Sequence, residues 1–172
     1  MVKNIYLIGM PSSGKSSLGR LLADEINYNF LDLDTAIEQY VHMSVPDIFK
    51  NYGEEYFRKV ETVVLTKIEP NQSLVIATGG GTPCFFDNMD FILANGVSVF
   101  LNVSPQDLAE RIQAGQVVHR PLIDLSLNKP DLKAQMTEKL AQRIAFYQRA
   151  NVQIDGNLTV DDILTKLDSV LV

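Results

Sequence analysis

Near its start the chain reads Gly9-Met10-Pro11-Ser12-Ser13-Gly14-Lys15-Ser16-Ser17, which fits the pattern G-x-x-x-x-G-K-[ST]. This pattern is typical of a loop that surrounds nucleotide phosphates where a strand passes into a helix. The apolar run at residues 5–8 predicts the strand, and Leu18, Leu21 and Leu22 recur at helical spacing. The alternative, a chance match in a turn rich in glycine and serine, requires neither flanking element. We therefore predict a phosphate loop over residues 9–17.

The residue types in this loop suit contact with phosphate. Gly9 and Gly14 permit backbone angles and close approaches that a side chain would block, so backbone N–H groups can point at phosphate oxygens. The positive N-terminal end of the following helix adds to the attraction. Lys15 would reach the β- and γ-phosphates, and the Ser16 hydroxyl would ligate magnesium. The loop residues expected to contact the nucleotide are Pro11, Ser12, Ser13, Gly14, Lys15, Ser16 and Ser17.

Composition and length indicate one globular domain over residues 1–172. Hydrophobic residues make up 46% of the chain and charged residues 21%, as is ordinary for such a domain. We expect neither a membrane span nor a signal peptide, because apolar runs are short and Asn4 interrupts the N-terminus. One cysteine, Cys84, fits a reducing cytoplasm, and a net charge of −6 argues against nucleic acid as a partner.

Alternating strands and helices predict an α/β fold with a mostly parallel sheet. Residues 29–34 read as a second strand that ends in two acids, with Asp32 and Asp34 on one face at the edge where such folds bind ligands. One acid can hold magnesium through water, and the other can hydrogen-bond or deprotonate a substrate hydroxyl. Alternatively, Asp34 caps the next helix, with Glu38 in its first turn. The two roles of Asp34 are compatible.

Arg58 has Glu54 four residues before it and Glu61 three residues after it, in a helical stretch over residues 44–68 that Gly53 interrupts. One interpretation is a solvated helical ion pair of small energetic value. The other is that Glu61 orients Arg58, whose planar guanidinium would bind a substrate carboxylate. The spacing is compatible with both.

Three consecutive glycines, Gly79, Gly80 and Gly81, follow a predicted buried strand at residues 73–77. Because glycine loses the most conformational freedom on folding, such a run is most easily explained where backbone contacts a ligand. A tight turn between strand and helix would need only one or two glycines. We expect this loop to contact a ligand.

The second half of the chain continues the alternation. A strand at residues 97–101 precedes a helix that carries Arg111. Residues 113–127 are weakly periodic, and a loop of this length predicts a mobile lid, from which Arg120 could reach the transferring phosphate. A long helix at residues 132–150 would place Arg143 and Tyr147 on one face, before a last strand at residues 152–154.

These motifs together resemble the shikimate kinase family over nearly the whole chain. Six motifs occur in the order and at the spacing of that family. They are the phosphate loop, Asp32-x-Asp34, Gly53-Glu54…Phe57-Arg58…Glu61, Gly79-Gly80-Gly81, Arg120-Pro121-Leu122 and Arg143…Tyr147. The phosphate loop alone would indicate only a nucleotide-binding protein. The departures are Ser12, where the family usually has glycine, and Ser17, where it usually has threonine.

The resemblance implies the fold of the nucleoside monophosphate kinases. This is a three-layer α/β/α arrangement with a five-stranded parallel sheet of order 2-3-1-4-5 and helices on both faces. It implies phosphorylation of the 3-hydroxyl of shikimate by magnesium-ATP, with substrate-binding helices at about residues 34–68 and a lid at about 113–127. It also implies a monomer. From the cysteine, the net charge and the short apolar runs, we expect this monomer in the cytoplasm, without nucleic acid or membrane partners.

Site roles follow from the same resemblance at the matching positions. Arg58 and Arg143 would hold the shikimate carboxylate. Asp34 and the Gly80 backbone would hold its hydroxyls, with Gly79 and Gly81 lining the same wall. Asp34 would either accept the proton of the reacting hydroxyl or orient that group.

The nucleotide side of the site is implied in the same way. Lys15 and Arg120 would stabilise charge on the transferring phosphoryl group, and Ser16 and Asp32 would serve magnesium. The residues expected against the adenine are Arg111 and the turn around Asp155.

Two other functions compete with this interpretation. Gluconate or nucleoside monophosphate kinases share the fold, but a nucleotide acceptor should require a base pocket and more cationic groups around a second phosphate. A guanine-nucleotide switch is suggested by Asn128-Lys129-Pro130-Asp131, which matches N-K-x-D. That match follows a lid-like segment rather than a buried strand, and the chain contains no D-x-x-G.

Overall fold

The computed structural model of the chain describes residues 3–115, 121–156 and 158–171. Strands and helices alternate within these ranges. In order they are β1 (Asn4–Ile8), α1 (Lys15–Glu25), β2 (Asn29–Asp32), α2 (Leu33–Val41), α3 (Val45–Thr66), β3 (Leu74–Ala77), a 3₁₀ turn (Thr82–Cys84), α4 (Asn88–Asn95), β4 (Gly96–Asn102), α5 (Pro105–Gln113), α6 (Lys129–Tyr147), β5 (Val152–Asp155) and α7 (Val160–Leu171).

The strands form one parallel sheet in the order β2-β3-β1-β4-β5, which confirms the expected topology. β1 lies at its centre, where Ile5 is in register with Val75 of β3 and with Val97 of β4. Because all strands run in the same direction, the segments that follow β1, β2 and β3 meet at one edge of the sheet. These segments are the phosphate loop, the start of α2 and the three-glycine loop.

Helices cover both faces of the sheet, so the predicted three layers are present. Alternate residues of β1 belong to different apolar clusters: Tyr6 and Ile8 pack under α2 to α6, whereas Ile5 and Leu7 pack under α1 and α7. Burial on both faces explains why β1 is apolar almost throughout. None of the helices within the described ranges is long and apolar enough to cross a membrane.

The predicted second strand was wrong at its end. β2 stops at Asp32 and α2 begins at Leu33, because the Asp32 carboxylate accepts the backbone N–H groups of Asp34 at 3.1 Å and Thr35 at 3.3 Å. The two acids therefore do not alternate along a strand. The capping role considered for Asp34 belongs to Asp32, and Asp34 lies in the first turn of α2. Leu33, which suggested a longer strand, is buried as the first residue of the helix.

Two other helices show how local chemistry sets their direction and bounds. α3 is kinked at Gly53, whose φ of 79° and ψ of 176° interrupt the helix where the sequence predicted a break. α6 begins three residues before the predicted Leu132, because the Asn128 side chain accepts the backbone N–H of Asp131 at 3.0 Å. The N-K-x-D match is therefore explained as a capped helix start.

Candidate active site

The phosphate loop joins the carboxyl end of β1 to the first turn of α1. Gly14 immediately precedes α1 with a φ of 96°, a left-handed conformation that favours glycine. Ser12 has a φ of 66°, a left-handed conformation that glycine adopts with less strain than serine. The Ser12 hydroxyl is buried, and no hydrogen-bond partner lies near it in the described part of the chain.

Lys15 is buried inside the phosphate loop. Its ammonium group donates to the carbonyl oxygens of Gly9 at 2.9 Å and Met10 at 2.7 Å. From α5, the Arg111 Nη1 donates to the carbonyl oxygen of Ser12 at 3.2 Å. The two cations therefore contact the loop from within and from outside, which places positive charge where phosphates would bind.

Ser16 and Asp32 meet beside the loop. The Ser16 hydroxyl donates to Asp32 Oδ2 at 2.6 Å, while Oδ1 of the same carboxylate caps α2. A hydroxyl and a carboxylate are hard oxygen ligands of the kind that Mg²⁺ prefers. Within the described ranges no three His, Cys, Asp or Glu side chains come together as metal ligands. A magnesium ion in a kinase site needs no such cluster, because it keeps several waters and binds substrate phosphates.

Arg58 lies at the centre of a buried polar network on α3. Its Nη1 donates to Glu61 Oε2 at 3.0 Å, and Nη2 donates to Glu54 Oε1 at 3.1 Å. The side chains of Arg58 and Glu61 are 5% and 0% exposed, so a solvated ion pair does not describe this contact. The guanidinium also lies 4.2 Å from the ring centroid of Phe85. Arg58 is thereby held in one orientation.

Glu61 connects Arg58 with the three-glycine loop. Its other oxygen, Oε1, accepts the Thr82 hydroxyl at 2.6 Å. Burial raises the pKa of Glu61, whereas Arg58 and the hydrogen bond from Thr82 oppose the rise and the nearby charge of Asp34 adds to it. The half-buried Asp34 therefore lies close enough to this network for its charge to be felt there.

The three glycines are required by close packing. A Cβ atom on Gly79 would lie 2.8 Å from Glu61 Oε1, one on Gly80 would lie 2.6 Å from Pro11 Cδ, and one on Gly81 would lie 2.6 Å from Arg58 Nη2. None of the three has a positive φ. Their small size lets the loop pass between α3 and the phosphate loop, a reason that the sequence analysis did not foresee.

α6 forms the opposite wall and contributes Arg143 and Tyr147. The Tyr147 hydroxyl is buried and donates to the carbonyl oxygen of Gly80, so α6 is tied to the three-glycine loop. Arg143 has no carboxylate within ion-pair distance among the described residues. Its Nη1 is buried, and in that part of the chain no group accepts a hydrogen bond from it. An anionic ligand would supply the missing acceptor.

One cavity of about 560 Å³ connects these groups. It is lined by residues of the phosphate loop, α2, α3, the three-glycine loop and α6. Of the predicted site residues, those that line it are Pro11, Ser16, Asp32, Asp34, Arg58, Gly79, Gly80 and Arg143. Residues 121–123 of the predicted lid also line it, as does Lys139, to which the sequence analysis gave no role.

Other predicted site residues lie outside this cavity. Gly81 packs against Arg58, and Ser17 lies exposed in the first turn of α1. Asp155 ends β5, where its carboxylate accepts hydrogen bonds from Asn102 and Gln153. Arg120 lies outside the described residues. Lys139 could have been noticed from its position four residues before Arg143, but a single lysine on a helix is more often solvated.

Comparison with known proteins gives the same family at every level. The family model of shikimate kinase matches residues 11–171. The shikimate kinase of Parabacteroides distasonis is 37% identical over 164 residues, which cover 94% of each chain. That of Parasynechococcus marenigrum is 40% identical over an alignment of 174 positions, which covers 98% of this chain and 88% of the relative.

Solved structures give a similar result. The shikimate kinase of Acinetobacter baumannii in complex with shikimate superposes with a TM-score of 0.86 at 31% identity, over 99% of this chain and 93% of the other. The shikimate kinase of Bacteroides thetaiotaomicron gives a TM-score of 0.85 at 32% identity, over 98% and 97% of the two chains.

Proposed function

Because the chain belongs to the shikimate kinase family, we propose that it transfers the γ-phosphoryl group of ATP to the 3-hydroxyl group of shikimate. The observation that carries this proposal is the cavity of about 560 Å³, onto which the phosphate loop, Asp34 and two arginines all open. Groups suited to phosphate, to a hydroxyl and to a carboxylate thus face one space. Phosphoryl transfer depends mainly on such positioning and on neutralisation of charge.

The acceptor is held by the walls formed by α3 and α6. Arg58 and Arg143 bind its carboxylate, and the backbone of Gly80 binds a hydroxyl, with Gly79 and Gly81 in the same wall. Asp34 receives the proton of the reacting hydroxyl or orients that hydroxyl toward the phosphate. This assignment is supported by the buried Nη1 of Arg143, which has no hydrogen-bond partner in the described part of the chain, and by the position of Asp34 Oδ1 near Gly79.

The nucleotide lies along the phosphate loop, residues 11–17. Lys15 and Arg120 neutralise charge on the transferring phosphoryl group. Arg111 and the turn around Asp155 contact the adenine. The hydrogen bond from Arg111 to the loop carbonyl of Ser12 supports a nucleotide role for Arg111.

Magnesium is the metal that fits this chain, and Ser16 and Asp32 would hold it, Asp32 through water. When bound, Mg²⁺ would neutralise negative charge on the phosphates. The observation in favour is the hydrogen bond of 2.6 Å between Ser16 and Asp32 beside the loop.

A lid over residues 113–127 closes on the cavity and excludes water, so that ATP is not hydrolysed. Pro121, Leu122 and Ile123 already line the cavity, which supports this role. The proposal includes a monomer that acts in the cytoplasm.

The proposal is tested by ADP release from magnesium-ATP with and without shikimate. Wild type should show turnover that depends on shikimate. Asp34→Asn should lose most of it, because the amide cannot accept a proton. Lys15→Ala should lose at least about a hundredfold in kcat, on the scale of removing a preorganised charge stabiliser.

Asp168→Asn, an exposed change on α7, is the matched control and should retain wild-type turnover. Gluconate and AMP are offered as acceptors in the same assay. Turnover with either of them but not with shikimate would assign the chain to a related kinase and contradict the proposal.

A further inference from the structure

Lys139 lines the cavity with a positive charge, but the proposed function above gives this residue no role. It lies on α6, four residues and therefore about one turn before Arg143, so both side chains project from the same face of the helix. Its side chain is half-buried and lines the cavity together with Arg58 and Arg143. A lysine whose only role was to keep a helix face in contact with solvent would point away from the cavity.

The charge balance on this side of the cavity differs between the three cations. The Nε and Nη2 of Arg58 donate to Glu54 at 3.2 and 3.1 Å, and its Nη1 donates to Glu61 at 3.0 Å. Two carboxylates thus already face the guanidinium of Arg58. Among the described residues of the α3 and α6 walls, the positive charge that remains for an anionic ligand comes mainly from Arg143 and Lys139.

The surroundings of Lys139 disfavour an isolated ammonium group. Burial lowers the pKa of Lys139, and the positive charges of Arg143 and, to a smaller extent, Arg58 lower it further, whereas Glu54 and Glu138 act in the opposite direction. Among the described residues no carboxylate lies within ion-pair distance of Lys139. A ligand carboxylate at this point would offset the repulsion between the two cations of α6.

We propose that Lys139 is a third cationic contact for the carboxylate of the acceptor, beside Arg143, and that it contributes to selection of an anionic acceptor. This inference rests on the proposed function. A lysine suits the position because its ammonium is a compact charge on a flexible stem, which can adjust to a carboxylate whose geometry the two arginines fix. Lys139 binds substrate and takes no part in the chemical step.

The first test is steady-state kinetics of Lys139→Met, which keeps most of the length of the unbranched side chain and removes its charge. The KM for shikimate should rise about tenfold, between the effects of an exposed ion pair and of a buried one. The kcat and the KM for ATP should stay within about twofold, since binding alone is affected. Lys139→Arg should retain most of the affinity. Lys133→Met, an exposed change on the same helix, is the control.

The second test separates a contact with the carboxylate from a role in packing. With the methyl ester of shikimate, which has no negative charge, wild type and Lys139→Met should have equal kcat/KM. An equal loss on shikimate and on the ester would mean that Lys139 supports the fold of α6 and would overturn the inference.

An unchanged KM for shikimate in Lys139→Met, with an active wild type, would overturn only this assignment. A wild type without shikimate-dependent turnover would contradict the proposed function as well.

Discussion

The two walls of the cavity present arginines in opposite states. On α3, Arg58 forms ion pairs with Glu54 and Glu61, stacks on the ring of Phe85, and is almost fully buried. On α6, Arg143 is half-buried beside a second cation, Lys139, and its Nη1 has no acceptor in the described part of the chain. Within the described ranges, the arginine of the α3 wall is paired with carboxylates, whereas no carboxylate lies within ion-pair distance of the two cations of the α6 wall.

This difference indicates that the two walls would act differently on an anionic ligand, one by orienting it and the other by attracting it. An arginine whose donors are already bound loses little conformational freedom when a ligand arrives, but two carboxylates partly neutralise it. An arginine without a counter-ion attracts an anion more strongly and is less well fixed. A small carboxylate held between the two would be oriented by α3 and attracted by α6.

The largest expected effect comes from removing the arginine of the α3 wall. Arg58→Ala should weaken shikimate binding by about 2–5 kcal/mol. It should also lower the free energy of unfolding by about 3 kcal/mol, because Glu61 would remain buried without its cation. Calorimetric titration with shikimate and unfolding in urea measure the two quantities.

Lys59→Ala is the matched control, since Lys59 is the next residue of α3 and its ion pair with Glu55 is exposed. It should leave both quantities unchanged. A wild-type affinity for shikimate in Arg58→Ala would remove Arg58 from the acceptor site and leave it a structural role.

A smaller and different effect is expected on the other wall. Arg143→Met should weaken shikimate binding by about 1.5–3 kcal/mol, the usual range for a hydrogen bond to a charged group. The free energy of unfolding should fall by less than in Arg58→Ala, because Nη1 of Arg143 has no hydrogen-bond partner among the described residues, although the guanidinium also interacts with the Tyr147 hydroxyl. The same two measurements apply. A marked loss of stability would mean that Arg143 is held as firmly as Arg58, and the contrast between the walls would disappear.

The smallest effect concerns the pH dependence of the α3 wall. The pKa of Glu61 is raised by burial above its ordinary value of 4.5, so between the two values the folded state binds more protons than the unfolded state. The free energy of unfolding should therefore fall as pH rises through this window, by at most about 1.4 kcal/mol per pH unit. Glu61→Gln lacks this contribution.

Unfolding in urea between pH 4 and 8 checks this expectation. The difference in unfolding free energy, Glu61→Gln minus wild type, should increase with pH. Glu25→Gln, an exposed change on α1, is the control and should follow the wild type. A constant difference for Glu61→Gln would show that the network of Arg58, Thr82 and Asp34 leaves the proton affinity of Glu61 unchanged on folding.

Much of the fold was predictable because its signals are local. The flanks of the phosphate loop, the apolar strands and the break at Gly53 each depend on neighbouring residues, and the sheet order followed from the resemblance. The end of β2 was mistaken because an apolar residue, Leu33, suits a strand and a helix equally. The cap formed by Asp32 decides between them through hydrogen bonds that a pattern does not reveal.

Several of the residues predicted for the site line one cavity, whereas their arrangement around it was less predictable. The spacing of Glu54, Arg58 and Glu61 left a solvated and a buried pair equally possible, because burial depends on the loop from Gly79 that packs over them. The signal for Lys139 was weak, since it consists only of a position four residues before Arg143. The proposed role of Lys139 depends on the pairing of Arg58 with Glu54 and Glu61, and all three of these residues lie on a different helix, α3.

The packing around the three glycines limits which mutations could make the protein resistant to an inhibitor while it stays active. At the position where a Cβ atom would be, Gly79 faces Glu61, Gly80 faces the ring of Pro11, and Gly81 faces the guanidinium of Arg58. Any side chain introduced there would displace a group that the proposed reaction uses. A compound that bound against this strip of backbone would contact positions at which resistance mutations carry a direct loss of activity.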